Sequence, residues 1–197
     1  TANQDDGGGG HACARRSDNS VWCWGANFTG ALGTGDTADA TTPRRVTGIP
    51  AVLEVASAGL HTCAAAADGI YCWGNNPNGQ LGDGTTEMRT SPVLALAGPQ
   101  WRHVAVGSEW SCAWTDAGAA RCWGDNNRGA LGDGSFAGPG PVDVMLTDVA
   151  RLSAGELHTC AQRSDKSLWC WGSNDFGQIG DGTALVDRPA PTHVVWP

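Results

Sequence analysis

The triplet Cys-Trp-Gly begins at residues 23, 72, 122 and 170, a spacing of 49, 50 and 48 residues. Each copy sits in a longer phrase: "HACARRSDNSVWCWGANFTGALGTGDT" from His11, "HTCAAAADGIYCWGNNPNGQLGDGT" from His61, "WSCAWTDAGAARCWGDNNRGALGDGS" from Trp110 and "HTCAQRSDKSLWCWGSNDFGQIGDGT" from His158. A fixed period of about 20–50 residues means a solenoid, a propeller or an array, in which one small unit buries its apolar face against the next. The chain of 197 residues therefore divides into units of approximately 1–48, 49–98, 99–147 and 148–197, forming one repeat domain.

Each unit reads as short strands. "VLEVASA" (Val52 to Ala58), "HVAVG" (His103 to Gly107) and "VARLSAG" (Val149 to Gly155) are alternating or apolar runs that end at or beside glycine. A hairpin follows, with arms such as "HTCAA" and "IYCWG" around Asp68-Gly69. Its counterparts are Ser17-Asp18-Asn19, Asp116-Ala117-Gly118 and Ser164-Asp165-Lys166. Glycine reaches positive φ and Asp or Asn bonds its own backbone, so these are turns for physical reasons. A proline followed by apolar residues ("SPVLAL", "GPVDVM") predicts a fourth strand, with proline at an edge or first position. No helical stripe is visible. The expected class is all-β: four four-stranded antiparallel sheets, each one blade of a β-propeller.

The units resemble regulator of chromosome condensation repeats, whose signature runs Gly-x-x-His-[Thr/Ser]-x-Ala-Leu and then Trp-Gly-x-Asn-x-x-Gly-Gln-Leu-Gly. Gly74, Asn76, Gly79, Gln80, Leu81 and Gly82 match it in order, and Asn27, Asn126 and Asn174 hold the same place in the other copies. The likeness covers the chain after about residue 8 and is greatest to a Cys-rich, secreted bacterial branch. Two departures stand out: Trp110 where the other copies have histidine, and Thr34-Gly35-Asp36 in place of Asp-Gly-Thr. The resemblance implies a propeller that usually closes with seven blades. It also implies relatives as different as a nucleotide exchange factor for a small GTPase and secreted inhibitors of β-lactamase. A shared fold transfers neither activity.

The eight cysteines pair by position: Cys13 with Cys23, Cys63 with Cys72, Cys112 with Cys122, and Cys160 with Cys170. Each pair straddles a turn, which sets the two residues opposite one another on adjacent strands, within disulfide reach. The competing reading is a metal held by His61, Cys63 and Cys72, and by the equivalents of His11 and His158. Structural zinc wants four ligands, and the Trp110 copy keeps both cysteines without the histidine, so disulfides are the reading adopted and no metal is expected. Oxidised pairs imply an extracellular, periplasmic or cell-surface location.

His11, His61 and His158 share one position, which argues for one structural job rather than catalysis. Trp24, Trp73, Trp123 and Trp171 likewise read as inter-blade packing. Asp83, Asp133 and Asp181 lie in Gly-Asp-Gly-Thr-like loops with one carboxylate each, too few for calcium and suited to tight turns. No hydrolase, zinc-protease or P-loop motif occurs, so no catalytic residue and no cofactor is expected.

A formal charge of −8 with Lys166 as the single lysine argues against a phosphate-binding surface, hence no nucleic acid. No apolar run approaches the ~20 residues of a membrane helix. The opening TANQDDGGGG is polar, with no leader visible, as expected of a sequence that starts after a removed leader or inside a longer chain. The same stretch makes a poor leading strand, so the chain is expected to be a segment of a larger ring, completed by missing repeats or by further copies of itself. The function expected is non-catalytic binding of a protein partner through loops that vary between units, at a rim carrying Phe28, Glu109, Trp110, Arg128 and Phe176. The alternative is a lectin-like propeller presenting exposed tryptophans to sugars.

Overall fold

The hairpins form where turn chemistry and apolar alternation coincide. A computed structural model describes residues 10–196, all of them in strands, turns and loops. The first sheet holds β1 (His11–Arg15), β2 (Val21–Gly25) and β3 (Ala40–Arg45) in that order. The second holds β4 (Val52–Ala58), β5 (His61–Ala66), β6 (Gly69–Gly74) and β7 (Arg89–Ala97). The third holds β8 (Trp101–Val106), β9 (Trp110–Thr115), β10 (Ala120–Gly124) and β11 (Val142–Asp143). The fourth holds β12 (Val149–Ala154), β13 (His158–Arg163), β14 (Leu168–Gly172) and β15 (Arg188–His193). Every strand pairs antiparallel with its sequence neighbour, the meander of a propeller blade.

Two details differ from expectation. The strand expected from "GPVDVM" shrinks to the two residues of β11. Among the described residues the first sheet has three strands. The weak leading strand expected from TANQDDGGGG falls on residues 1–9, outside the described ones.

The turns behave as their residues require. Asn19 and Lys166 sit at φ 64° and 74°, and Gly118 takes the same left-handed region at φ 83°. Asp18 and Asp165 accept hydrogen bonds from the backbone N–H of Ser20 and Ser167 at 3.1 and 2.9 Å, closing Asx turns. These turns set Cys13, Cys63, Cys112 and Cys160 directly opposite Cys23, Cys72, Cys122 and Cys170. All four pairs are disulfide-bonded, with Cα atoms 4.1 Å apart in each. The cross-links therefore lie within blades, where they constrain local hairpins.

Among the described residues most of the buried apolar side chains fall into three clusters, and each lies at a junction between consecutive sheets. Trp73 packs with Cys13, Val21 and Leu32 of the preceding unit. Trp123 joins Cys63, Ile70 and Leu81, and Trp171 joins Trp110, Leu131 and Val144. All three indoles are fully buried. Burying one such ring contributes about 3 kcal/mol or more. Cohesion along the chain thus comes mainly from the junctions.

Candidate functional site

The loop after each Trp-Gly is built around one asparagine. Asn27, Asn76, Asn126 and Asn174 are buried, and their carbonyl oxygens accept the N–H groups of Leu32, Leu81, Leu131 and Ile179 at 2.9, 2.9, 3.0 and 3.1 Å. Their amide nitrogens donate to backbone carbonyls farther along, such as Thr85 and Glu87 for Asn76. A buried amide satisfied on both sides fixes a loop without regular pairing. The aspartates complete the frame. Asp83 accepts from Thr85 and Arg89, and Asp181 from Thr183 and Arg188, whose hydrogen bonds pull the Asp181 carboxyl down to about 2. Among the described residues no group of three or more His, Cys, Asp or Glu side chains is placed to hold a metal ion.

These rigid loops carry a common latch across the junctions. The Ala31 carbonyl accepts the Thr62 hydroxyl at 2.9 Å and the Trp73 indole N–H at 2.8 Å. The Gln80 carbonyl accepts Ser111 and Trp123, both at 2.9 Å. The Ala130 carbonyl accepts Thr159 at 2.9 Å and Trp171 at 2.8 Å. Each hydroxyl thereby directs its single proton at a carbonyl and must itself accept from its other neighbour. That neighbour is His11 Nε2 at 2.8 Å, His61 Nε2 at 2.9 Å, or Trp110 Nε1 at 3.2 Å. Each of the two histidines therefore carries a proton on Nε2. Complete burial, with His11 nearby, pushes the His61 pKa down to about 3.

Trp110 was expected at an exposed rim, and the structure corrects this: it is 1% exposed. An indole offers one N–H donor, which is what Nε2 of His11 and His61 supplies at the other junctions, so it substitutes for them here. Arg128 is also engaged structurally. Its Nη2 donates to Asp175 and to Ser173 Oγ, and its Nε lies 3.2 Å from Asp187, so the guanidinium ties the third unit to the fourth.

Phe28, 54% exposed, and the exposed Glu109 meet around one pocket of about 360 Å³, with Trp110 beneath. Sequence reading missed the other walls: Leu60, Asp125, Glu156 and Leu157. Leu60, Glu109 and Leu157 each immediately precede the latch residue of their unit, and that shared position was the available signal. Phe176 is 93% exposed but stands away from the pocket lining. The pocket thus combines apolar walls with three carboxylates.

The family model described as "Regulator of chromosome condensation (RCC1) repeat" matches residues 18–65 and 68–114, and a second model of the same description matches 53–80 and 149–178. No curated protein sequence matches. Among solved structures, human WBSCR16 is similar with a TM-score of 0.83 at 25% identity, over 95% of this chain and 51% of that one. Yeast RCC1 (Prp20), solved bound to Kap60, gives 0.80 at 23% identity, over 96% of this chain and 48% of that one. The Saccharomyces cerevisiae Prp20p structure described with its binding to Gsp1p and histones gives 0.80 at 24%, over 96% and 49%. The chain spans about half the length of these proteins.

Proposed function

This chain belongs to the regulator of chromosome condensation repeat family, and from that premise we propose that it is a non-catalytic, secreted propeller that binds a protein partner at its loop rim. Four disulfides suit an oxidising, non-cytosolic compartment. No helix of the described residues is long and apolar enough to cross a membrane. The observation that carries the reading is the pocket walled by Phe28, Leu60 and Leu157 and edged by Glu109, Asp125 and Glu156. Apolar walls supply affinity, and carboxylates on a chain of net charge −8 select a cationic group. The partner segment therefore presents a lysine or arginine beside an apolar side chain. The yeast relative was solved bound to a protein, Kap60, which supports a binding role at the level of the fold.

The oxidised protein, used as bait in native secretions, should retain a partner whose affinity falls with salt. Combined substitution E109Q/D125N/E156Q should weaken that partner at least tenfold without lowering the melting temperature. Undiminished affinity in the triple variant would overturn the assignment of the pocket.

A further inference from the structure

At two junctions inside the chain, the last strand of one unit lies against a loop glycine of the unit before it. Gly35 donates its N–H to the Thr90 carbonyl at 2.8 Å, and Gly134 donates to the Pro189 carbonyl at 2.9 Å. Thr90 and Pro189 belong to β7 and β15, extended segments that carry proline at Pro92 and at Pro189 and Pro191. A loop N–H thereby finds its acceptor in the main chain of a neighbouring strand.

The junction between the second and third sheets departs from this. Gly84 holds the repeat position of Gly35 and Gly134, and among the described residues its N–H donates to no carbonyl. The cause is a register one residue short. The residues opposite the second cysteine and the Trp-Gly glycine are four positions apart in three units: Arg44 and Ala40, Val93 and Arg89, Thr192 and Arg188. In the third unit they are Val142 and Pro139, three apart. The stretch Pro139-Gly140-Pro141 also lacks two N–H groups, and β11 is left with two residues. A Cβ at Gly84 or Gly140 would meet nothing within 4 Å, and Gly82 is partly exposed where Gly33 and Gly132 are buried. Gly82, Gly84, Thr86, Glu87, Pro139 and Gly140 accordingly line a groove of about 580 Å³. It runs on past Thr86 and Pro139 into a second hollow of about 280 Å³ beside Phe136 and Asp125.

We propose that this groove between the second and third blades seats an extended, proline-containing segment of a protein partner. A main-chain carbonyl of that segment accepts the Gly84 N–H, as Thr90 and Pro189 do for Gly35 and Gly134, and a cationic side chain lies against Glu87. Three observations choose this occupant. The two other junctions show that extended main chain is what fits against this glycine, the strand-addition mode of peptide recognition. Pro139, Pro141 and the half-exposed Phe136 give apolar walls of the kind onto which proline-rich segments dock. Glu87 is exposed and in no ion pair among the described residues, so charge selects a cation. The inference rests on the reading of a protein-binding propeller and extends it, since Asp125 lines both this groove and the rim pocket.

The chain's own β15 supplies a probe: the acetylated, amidated peptide RPAPTHV, residues 188–194, which carries one arginine and two prolines. Added to the oxidised, ¹⁵N-labelled protein, it should move the Gly84 amide proton downfield and saturate with a dissociation constant of about 0.1–1 mM. The Gly35 and Gly134 amides, already bonded within the chain, should stay in place. Gly140→Trp, whose side chain enters open space, should weaken the peptide at least tenfold at an unchanged melting temperature. Glu87→Gln should weaken it about threefold and flatten its salt dependence. A Gly84 amide unmoved at about 5 mM peptide overturns the proposal. So does an equal shift at Gly35 and Gly134, or full affinity in Gly140→Trp. The combined Glu109→Gln and Glu156→Gln variant should leave the Gly84 shift intact, because those carboxylates line the rim pocket alone. Loss of the shift in that variant would place the peptide at the rim and overturn the groove, so failure of the groove and failure of the rim are read separately.

Discussion

The junction between the second and third sheets and the junction between the third and fourth perform the same task with different chemistry. At the first, His61 donates to Ser111, which donates to the Gln80 carbonyl. At the second, Trp110 donates to Thr159, which donates to the Ala130 carbonyl. What the position demands is one buried N–H donor, and the side chain that supplies it is negotiable. The difference is in what else each donor does. Histidine can bind a second proton, whereas indole cannot, and the bulkier indole buries more apolar surface. One junction is therefore acid-sensitive and the other is not.

The bluntest way to break the comparison is to remove the framework that both junctions share. Reducing the four disulfides should cost about 2–3 kcal/mol for each short hairpin loop in the chain-entropy account, loosening every blade and erasing the contrast between junctions. Melting with and without reductant, beside non-reducing peptide mapping, checks it. Coincident melting curves, or bridges between different units, would contradict the proposed pairing.

Next in size is Trp110→Ala, which empties the indole site in the cluster with Leu131 and Trp171 and should destabilise by about 3–5 kcal/mol. Trp110→His should recover part of that loss, since it keeps the donor. It should also make the third junction acid-sensitive. Urea unfolding of the two variants at pH 7 and pH 5 reads both effects, and equal pH dependence in the two would sink the idea of interchangeable donors.

Acid sharpens the contrast directly. The folded-state pKa of His61, about 3, lies below the ordinary histidine value of 6.5. The folded protein excludes a proton that the unfolded chain binds, so this contribution is fully present above pH 6.5. It is lost as pH falls from 6.5 toward 3, at about 1.4 kcal/mol per pH unit. Burial shifts the half-buried His158 in the same direction. His61→Gln should flatten the slope of stability against pH between 6.5 and 4 by roughly one proton. An unchanged slope would mean that His61 is not held neutral.

A smaller effect is expected of Ser111→Ala, which deprives both His61 and the Gln80 carbonyl of a partner while the Trp123 indole still serves that carbonyl. The expected cost is about 1–3 kcal/mol in urea unfolding at neutral pH. A change within ±0.5 kcal/mol would show that the hydroxyl is not needed to join the two sheets.

Much of the framework was legible because it is local. The cysteine partners are only 9 or 10 residues apart, and turn residues between them set the register. Period-two strands and Asx turns follow from nearest neighbours in the chain. The rim was legible only in part. Phe28 and Glu109 do share a pocket, but Trp110 lies beneath it and Arg128 is held by carboxylates of the next unit. Leu60, Asp125 and Glu156 went unseen because each is unremarked within its own repeat and acquires meaning only beside residues of other repeats.

The sequence by itself determined the all-β repeat and the equivalence of its positions, including that of Trp110 to three histidines. A repeat states which residues are alike, and short-range physics does the rest within each hairpin. Only the tertiary structure decided which residues are adjacent. The latch contacts join residues 29 to 51 positions apart, and their geometry depends on how one blade sits on the next. Whether an aromatic ring is surface or core is settled at those junctions, where two sheets bury together what neither can bury alone.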